Sequence, residues 1–301
     1  MCDRKRGCWI VNNLHEDINL DDVKISVIVP AFNREKTIKR CIDSIVNQTI
    51  PPFEVIVVDD GSVDKTVEIL ENIACSYLRV IKQNHKGAQA ARNLGIMNAK
   101  GNYIAFLDSD DEWCPQMVEK ATAYLLRAGE DSVIYSNCYV CSNGKKKLWK
   151  LPDCGNNAYP FLLLHQGPTI SMLAKKEVFL KIGLLDEDVV AYQEWDTAIR
   201  LAEKVKFTHI HEPLFVYHLH NGETISKDKD KDVKGYAYIV RKHQKKIIEI
   251  HRLKGLNTHY KNLMKKCWGY SNKWIFTFAI EIIYVNIMYM INGLRKKNRG
   301  K

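Results

Sequence analysis

Between residues 25 and 108, short apolar runs alternate with segments that have the period of an amphipathic helix. Candidate helices begin near Glu35, Lys65 and Ala88. Four runs rich in β-branched residues are candidate strands: ISVIVP (25–30), EVIVVDD (54–60), LRVIKQ (78–83) and NYIAFLD (102–108). Runs that are apolar throughout suit strands buried on both faces. The β-α-β-α-β-α-β order predicts an α/β fold with a mainly parallel sheet, in which ligands bind at the carboxyl ends of the strands.

Polar clusters follow three of these strands. Residues 30–33 close the first strand, residues 59–62 the second, and residues 108–111 the fourth. The last cluster, in FLDSDD, places three carboxylates directly after an apolar run. Such carboxylates repel one another unless a cation offsets them, and their oxygens are the ligands that hard divalent cations prefer. The cluster therefore predicts a Mn²⁺ or Mg²⁺ site, and the alternative is a solvated acidic turn.

The three clusters together fit a nucleotide sugar. A carboxylate can accept a hydrogen bond from the ring N–H of uracil or guanine, backbone donors can hold the ribose, and a metal ion can bridge the diphosphate. The segment NHKGAQAARNLGIMNAKG (84–101) adds Lys86 and Arg92 as candidate cations. The alternative for Arg92 is a surface position on its helix.

Size and cysteine pattern narrow the class of protein. The chain has 301 residues, of which 46% are apolar and 27% charged, enough for one large domain with an appendage. Nine cysteines are scattered without a repeating spacing, and residues 1–22 contain no apolar stretch typical of a signal peptide. We therefore expect a cytoplasmic protein rather than a secreted, disulfide-rich one.

The positive charge is concentrated in residues 227–301, which we call the tail. It contains 19 of the 45 Lys and Arg residues but 5 of the 35 Asp and Glu residues, so the rest of the chain is slightly acidic. From Val233 to Trp268, apolar residues recur at helical spacing among lysines. Residues 274–291 are apolar with one charge, Glu281.

This apolar segment is short for a membrane span. At about 1.5 Å per residue it is marginal for a hydrocarbon core about 30 Å thick, and a central carboxylate disfavours spanning. We expect the tail to lie on an anionic membrane surface, and the alternative is a helix that packs on the rest of the chain or forms a dimer. No recognised nucleic-acid-binding motif accompanies the basic residues, so we expect no nucleic-acid partner.

Four motifs in register, PAFNRE, VVDDGSVDKT, NHKGAQAARNLG and FLDSDDEW, resemble those of family 2 glycosyltransferases of the GT-A fold. The resemblance runs from about Lys24 to about Ser226. It implies a GT-A domain at 24–226, with a Rossmann-like, mainly parallel sheet and flanking helices. An N-terminal extension (1–23) precedes this domain, and a helical, basic, membrane-associating tail (227–301) follows it.

The resemblance also implies roles for individual residues. Asp60 would take the base. Asp110 is the expected metal ligand, with Asp108 beside it and His220 as a third. The remaining residues expected around the donor are Pro30, Phe32, Asn33, Glu35, Lys86, Arg92, Asp108 and Ser109. The histidines at 209, 211 and 218 alternate along the same apparent strands as His220 and are expected to be packed or solvated.

An inverting transfer needs a general base that removes the proton of the acceptor hydroxyl. In the family this group comes from an acidic motif ahead of a helix, a place that AYQEWDTAIRLA (191–202) occupies here. The frequent family form has Glu-Asp before the aromatic residue, whereas this chain has Gln193-Glu194, so the aligned base is Glu194. Asp196 is the alternative, although an acid in the first turn can instead compensate the helix dipole.

We therefore expect a metal-dependent, inverting hexosyltransferase of a bacterium, peripheral at the inner face of the plasma membrane. It would move a sugar from a UDP-sugar to a lipid-linked or polysaccharide acceptor. Two other classes stay open: a non-catalytic membrane-docking protein that binds nucleotide sugars, and a phosphotransferase that uses the DxD pair. Haloacid dehalogenase-type phosphotransferases expect Thr or Val two residues beyond the second Asp, where this chain has Glu112. The sequence leaves the donor sugar, the acceptor and the oligomeric state open.

Overall fold

A computed structural model describes residues 23–128, 132–168, 171–219 and 228–299, with side chains described up to Ile291. The chain divides into two compact units. The first unit contains Met1–Ala158, Gly167–Glu187 and Gln193–Asn221, and the second contains Tyr159–Gln166, Asp188–Tyr192 and Gly222–Lys301. The predicted domain boundaries near residues 24 and 226 stay a prediction, and the predicted N-terminal extension lies outside the described residues apart from Val23.

The secondary structure begins with the alternation that the sequence predicts. The strands are β1 (Ile25–Ala31), β2 (Glu54–Asp59), β3 (Leu78–Lys82), β4 (Tyr103–Phe106), β5 (Glu112–Trp113), β6 (Ser132–Ser142), β7 (Lys145–Trp149), β8 (Met172–Lys175) and β9 (Lys206–Leu219). The helices are α1 (Ile38–Val46), α2 (Thr66–Glu71), α3 (Ala88–Asn98), α4 (Met117–Ala128), α5 (Ala158–Leu162), α6 (Lys176–Lys181), α7 (Gln193–Ala202), α8 (Lys229–Cys267) and α9 (Asn272–Arg299).

The described strands form one nine-stranded sheet in the order β3-β2-β1-β4-β8-β6-β9-β5, with β7 paired to β6. Strands β3, β2, β1 and β4 are parallel to one another, as predicted. Strand β8 runs antiparallel to both β4 and β6, and β9 runs parallel to β6 and antiparallel to β5. The carboxyl ends of β1, β2 and β4 therefore meet at one edge, where the three polar clusters follow them.

Close packing of α3 on β1 fixes the position of one wall of this edge. A Cβ atom on Gly95 would lie 2.5 Å from Cγ2 of Ile28, so only glycine permits the observed approach of α3 to the sheet. Ile28 is fully buried, and the whole of β1 and β2 is buried as well. The strands predicted from their apolar runs are thus the centre of the core.

The second unit is built on the two long helices of the tail. Helix α8 begins at the N-cap Asp228, whose side chain accepts hydrogen bonds from the backbone of residues 230 and 231, and it is kinked at Arg252 (φ 58°). His259 is buried in this unit, with Nδ1 3.0 Å from the Tyr236 hydroxyl and Nε2 2.8 Å from the Leu163 carbonyl oxygen. The helical pattern predicted for 233–268 is therefore present.

Helix α9 packs along α8 on one side only. Arg241 of α8 forms an ion pair with Glu281, and Asn286 Nδ2 donates to Asn257 Oδ1 at 3.0 Å. Phe278 is fully buried. Among the described helices, α9 alone contains a stretch, Asn272–Ile291, long and apolar enough to cross a membrane by length and composition; its mean hydropathy is 1.7, and 6% of it is buried.

Candidate active site

The Asp60 carboxylate organises the loop after β3. Its Oδ1 accepts from Gln83 Nε2 at 2.7 Å and from the Lys86 N–H at 2.8 Å. Its Oδ2 accepts from the Gly87 N–H at 2.8 Å and lies 2.9 Å from His85 Nδ1. Asp60 is 2% exposed and accepts three hydrogen bonds inside the protein, while His85 Nδ1 also lies 3.2 Å from the Asp60 backbone carbonyl oxygen. This carboxylate is a hub that holds residues 83–87 against the end of β2.

The turn after β1 is joined to the turn after β2 by short hydrogen bonds. Asn33, at φ 52°, donates its N–H to Ser62 Oγ at 2.9 Å, and its Oδ1 accepts from the Val63 N–H at 3.0 Å. The Glu35 N–H donates to Asp64 Oδ2 at 3.1 Å. The first two polar clusters therefore form one rigid wall.

The predicted donor-side residues at this wall differ in exposure. Pro30 is buried within β1, where it pairs with Val58. Phe32 is 37% exposed, and its ring centroid lies 4.2 Å from that of His85. Lys86 contributes its backbone N–H to Asp60, while its side chain is exposed. Of these side chains, the Phe32 ring, rather than the Lys86 side chain, forms part of the surface of this wall.

The third polar cluster concentrates carboxylate oxygens. Asp108, Asp110 and Asp111 each offer an oxygen within 4.8 Å of the others, and we call these three residues the acidic cluster. Arg34 NH2 lies 3.8 Å from Asp110 Oδ2. Asp111 is buried, and burial together with the carboxylates of Asp108 and Asp110 raises its pKa well above the ordinary value. Ser109 between them is buried as well. The geometry fits a cation with hard oxygen ligands.

Strand β9 delivers further groups to the acidic cluster. The His218 N–H donates to Asp111 Oδ1 at 2.9 Å, and His218 Nε2 lies 2.5 Å from Glu112 Oε1. Burial, the acidic cluster and Glu194 raise the pKa of Tyr217 to about 12, because a phenolate beside so many carboxylates is unfavourable. His220, the predicted third metal ligand, lies outside the described residues.

Arg92 links the acidic cluster to α7. It is 4% exposed, so the surface position considered for it does not apply. Its NH2 lies 2.6 Å from Asp108 Oδ1, and its NH1 donates to Gln89 Oε1 at 2.8 Å and to Gln193 Oε1 at 3.3 Å. The guanidinium therefore holds the residue before Glu194 beside Asp108.

The two candidate bases have different surroundings. Asp196 is 1% exposed and accepts from Arg200 Nε at 2.9 Å, and Arg200 also donates to the carbonyl oxygens of residues 182 and 184. Removal from water and the Asp108 carboxylate raise the pKa of Glu194, while Arg92 acts in the opposite direction. A carboxylate with a raised pKa is a better proton acceptor near neutral pH, and Asp196 is already paired with Arg200, so Glu194 stays the predicted base.

Sequence reasoning missed several groups in this site. Arg34 and Arg40 contact Asp110, the latter through the Asp110 carbonyl oxygen, and both stand in or just after the PAFNRE motif. Gln83 and His85 precede the glycine of the motif that includes Lys86, and their contacts with Asp60 need the register of β2 and β3 to be known. Nothing in the sequence indicates Tyr217. Its strand, β9, comes near the acidic cluster by pairing with β5, which is distant in sequence.

Comparison with known proteins agrees with this geometry. The sequence model of "Glycosyl transferase family 2" matches residues 26–177, half of the chain. An uncharacterized glycosyltransferase of Haemophilus influenzae is 29% identical over 243 residues, 78% of this chain and 82% of the relative. The amylovoran biosynthesis glycosyltransferase AmsB of Erwinia amylovora is 31% identical over 229 residues, 68% of this chain and 75% of the relative.

Structural similarity extends over most of the chain. A crystal structure of S. aureus TarS in complex with UDP-GlcNAc matches with a TM-score of 0.64 at 20% identity, covering 82% of this chain and 73% of that one. At this identity the match shows the fold, and it confirms the predicted α/β fold of the GT-A type. From the family match, the AmsB similarity and the fold, the chain belongs to glycosyl transferase family 2.

Proposed function

We propose that the chain is an inverting glycosyltransferase that moves a sugar from a UDP-sugar to a lipid-linked or polysaccharide acceptor in cell-surface glycan synthesis. The observation that carries this proposal is the Arg92 bridge, which joins Asp108 of the acidic cluster to Gln193, the residue before Glu194, at the carboxyl ends of parallel strands. The relatives support the substrate classes: AmsB is a glycosyltransferase of amylovoran biosynthesis, and TarS was crystallised with UDP-GlcNAc.

The base of the donor nucleotide would bind at Asp60, and the groups around this carboxylate indicate which of them it would displace. Because Asp60 is buried under three donors and the His85 ring, a base N–H that bonds to its carboxylate must displace one of the side chains that cover it. Lys86 and Gly87 donate from the backbone and are fixed, whereas the Gln83 side chain, which donates to Oδ1, and the His85 ring, which lies beside Oδ2, can turn away. A base that takes the place of the His85 ring lies against Phe32, where aromatic stacking stabilises it.

The acidic cluster fits a divalent cation between the protein and the diphosphate. Asp110 and Asp108 would hold Mn²⁺ or Mg²⁺, with His220 as the predicted third ligand. Burial and, after it, repulsion by Asp108 and Asp110 raise the pKa of Asp111, and a cation would relieve that repulsion. When bound, such an ion stabilises the negative charge of the departing nucleoside diphosphate. Arg92 neutralises one oxygen of Asp108 and keeps that carboxylate in place.

The transfer itself rests on Glu194. The acceptor hydroxyl oxygen forms a bond to C1 of the sugar while the bond from C1 to the diphosphate oxygen breaks, and the hydroxyl proton passes to the Glu194 carboxylate. Burial and, after it, the Asp108 carboxylate raise the pKa of Glu194 and so strengthen it as a proton acceptor. Asp196 is held by Arg200 and serves better to fix the start of α7.

We also propose that the protein works in the cytoplasm, peripheral to the inner face of the plasma membrane. The side of α9 opposite α8 exposes large apolar residues at helical spacing, namely Phe276, Ile280, Ile283, Tyr284, Ile287 and Ile291. Glu281, the single carboxylate of this segment, is paired with Arg241 and adds no free charge to that side. With 19 basic residues in the tail, this face suits an anionic leaflet.

The direct test is turnover of nucleotide sugars. The full chain, Mn²⁺ and a panel of donors that begins with UDP-GlcNAc would be incubated with lipid-linked and polysaccharide acceptors, and released nucleoside diphosphate would be measured. We expect release from a UDP-sugar that depends on the acceptor. Donor binding without release for any acceptor in the panel would favour the non-catalytic nucleotide-sugar-binding alternative.

A further inference from the structure

A second group of metal-ligating side chains lies on β9, outside the site described above. Asp153, His209 and His211 each offer a ligand atom within 4.8 Å of the others, and we call them the His-Asp group. Both histidines are on one face of β9, because they are two residues apart. At about 3.3 Å per residue, His211 lies up to about 23 Å along the strand from His218, which contacts the acidic cluster.

Asn137 fixes the protonation of His209. Its Oδ1 accepts from the Leu151 N–H at 2.8 Å, and its Nδ2 donates to the His211 carbonyl oxygen, so the orientation of the amide is determined. His209 Nε2 lies 2.9 Å from the same Oδ1 and must therefore carry the proton. The lone pair is left on Nδ1, which is buried and has no hydrogen-bond partner among the described residues.

An unused imidazole lone pair in this setting is what a metal ligand requires. Metal-binding histidines usually donate their other ring N–H to a carbonyl or carboxylate, which fixes the tautomer and the ring orientation.

The surroundings of the group are already arranged. The Tyr135 ring stacks on His209 with centroids 4.6 Å apart and an interplanar angle of 2°. The Tyr135 hydroxyl donates to the Pro152 carbonyl oxygen and accepts from the Cys154 N–H, each at 2.9 Å, which holds both neighbours of Asp153. The Tyr135 ring and residues 152–154 are thus fixed. The side chains of His211 and Asp153 are exposed and can turn.

The distances match a site that closes on binding. His211 Nε2 and Asp153 Oδ2 are 3.9 Å apart, too far for a hydrogen bond. Ligand atoms about 2.0–2.1 Å from a tetrahedral Zn²⁺ are roughly 3.3 Å apart, so His211 and Asp153 would approach each other by about half an ångström on binding. Two imidazoles and one carboxylate favour Zn²⁺ over Mn²⁺ or Mg²⁺, which the all-oxygen acidic cluster suits better.

We propose that Asp153, His209 and His211 bind Zn²⁺ and so tie the segment 151–154 to β9. This site is separate from the metal site of the sugar transfer and differs from it in ligand chemistry.

The test is calorimetric titration of the full chain with Zn²⁺ in saturating Mn²⁺, which keeps the acidic cluster occupied. His211→Gln and Asp153→Asn alter exposed side chains, so the fold should persist in both variants. We expect each to lower Zn²⁺ affinity by about ten-fold or more. His165→Gln changes an exposed histidine outside the group and should leave the affinity unchanged.

A second readout tests the structural role. Zn²⁺ should slow amide hydrogen exchange of residues 151–154 in the unmodified chain and have no such effect in His211→Gln. Equal Zn²⁺ affinity in the unmodified chain, His211→Gln and Asp153→Asn would overturn the proposed site. Exchange of residues 151–154 that is unchanged by Zn²⁺ in the unmodified chain would overturn the proposed tie.

Discussion

Replacing Asp60 with asparagine should release the loop of residues 83–87 from the end of β2. Asparagine has the size of aspartate but can accept at one terminal atom only. In the better of its two orientations, the amide oxygen still accepts from Gln83 Nε2 and from the Lys86 N–H. The NH₂ group then faces the Gly87 N–H, and two donors cannot form a hydrogen bond.

The magnitude follows from these contacts. Loss of the charge-assisted bond from Gly87 costs about 1.5–3 kcal/mol. The two bonds that remain change from charge-assisted to neutral, which costs about 1 kcal/mol each. The loop should therefore open more easily by about 3.5–5 kcal/mol, which is on the order of 10³-fold in the population of the open state.

Amide hydrogen exchange measures this opening directly. In Asp60→Asn the Lys86 and Gly87 amides should exchange faster by that factor, and affinity for a UDP-sugar should fall because binding must order the loop again. Asp43→Asn is the matched control, since Asp43 pairs only through the exposed contact with Lys39 that lies one helical turn away. Unchanged protection of Lys86 and Gly87 in Asp60→Asn would refute the role of Asp60 as the hub of this wall.

The remaining predictions concern the metal, the pH profile and the membrane. Asp110→Asn should abolish Mn²⁺-dependent donor binding, and an unchanged Mn²⁺-dependent affinity in calorimetry would contradict this. The base must be unprotonated and the pKa of Glu194 is raised, so kcat/KM should fall with decreasing pH, with a midpoint above the ordinary glutamate pKa of about 4.3. A midpoint at or below that pKa would count against Glu194. Serine at Ile280, Ile283 and Ile287 together should weaken binding to anionic liposomes by about ten-fold or more, as judged by sedimentation, and unchanged binding would exclude this face.

The parallel part of the fold is predictable because its signal is local. Strands β1, β2, β3 and β4 each begin and end within two residues of the apolar runs, since burial on both faces requires such runs. Helix α3 begins at Ala88 as predicted, directly after Gly87 at φ 96°. Helix α1 begins at Ile38, three residues after the predicted Glu35, because residues 32–37 form the turn that carries Asn33.

The second half of the site depends on contacts distant in sequence. The motif spacing identifies Asp108, Asp110 and Glu194 as candidates, but nothing in the sequence shows that Arg92 contacts both Asp108 and Gln193, the latter 101 positions away. Tyr217 reaches the acidic cluster only because β9 pairs with β5. The tautomer of His209 is likewise visible only once Asn137 Oδ1 is known to contact His209 Nε2 and to accept from the Leu151 N–H.

Turnover of the Glu194→Gln variant tests the central claim most directly, since glutamine keeps the size and polarity of the side chain but cannot take a proton. We predict that kcat falls by on the order of 10²–10⁴ while the Kd for the UDP-sugar stays within about two-fold. Glu177→Gln, a change at an exposed residue of α6, should leave both values unchanged. Near-normal kcat in Glu194→Gln would contradict the account and move the base to Asp196 or to another group.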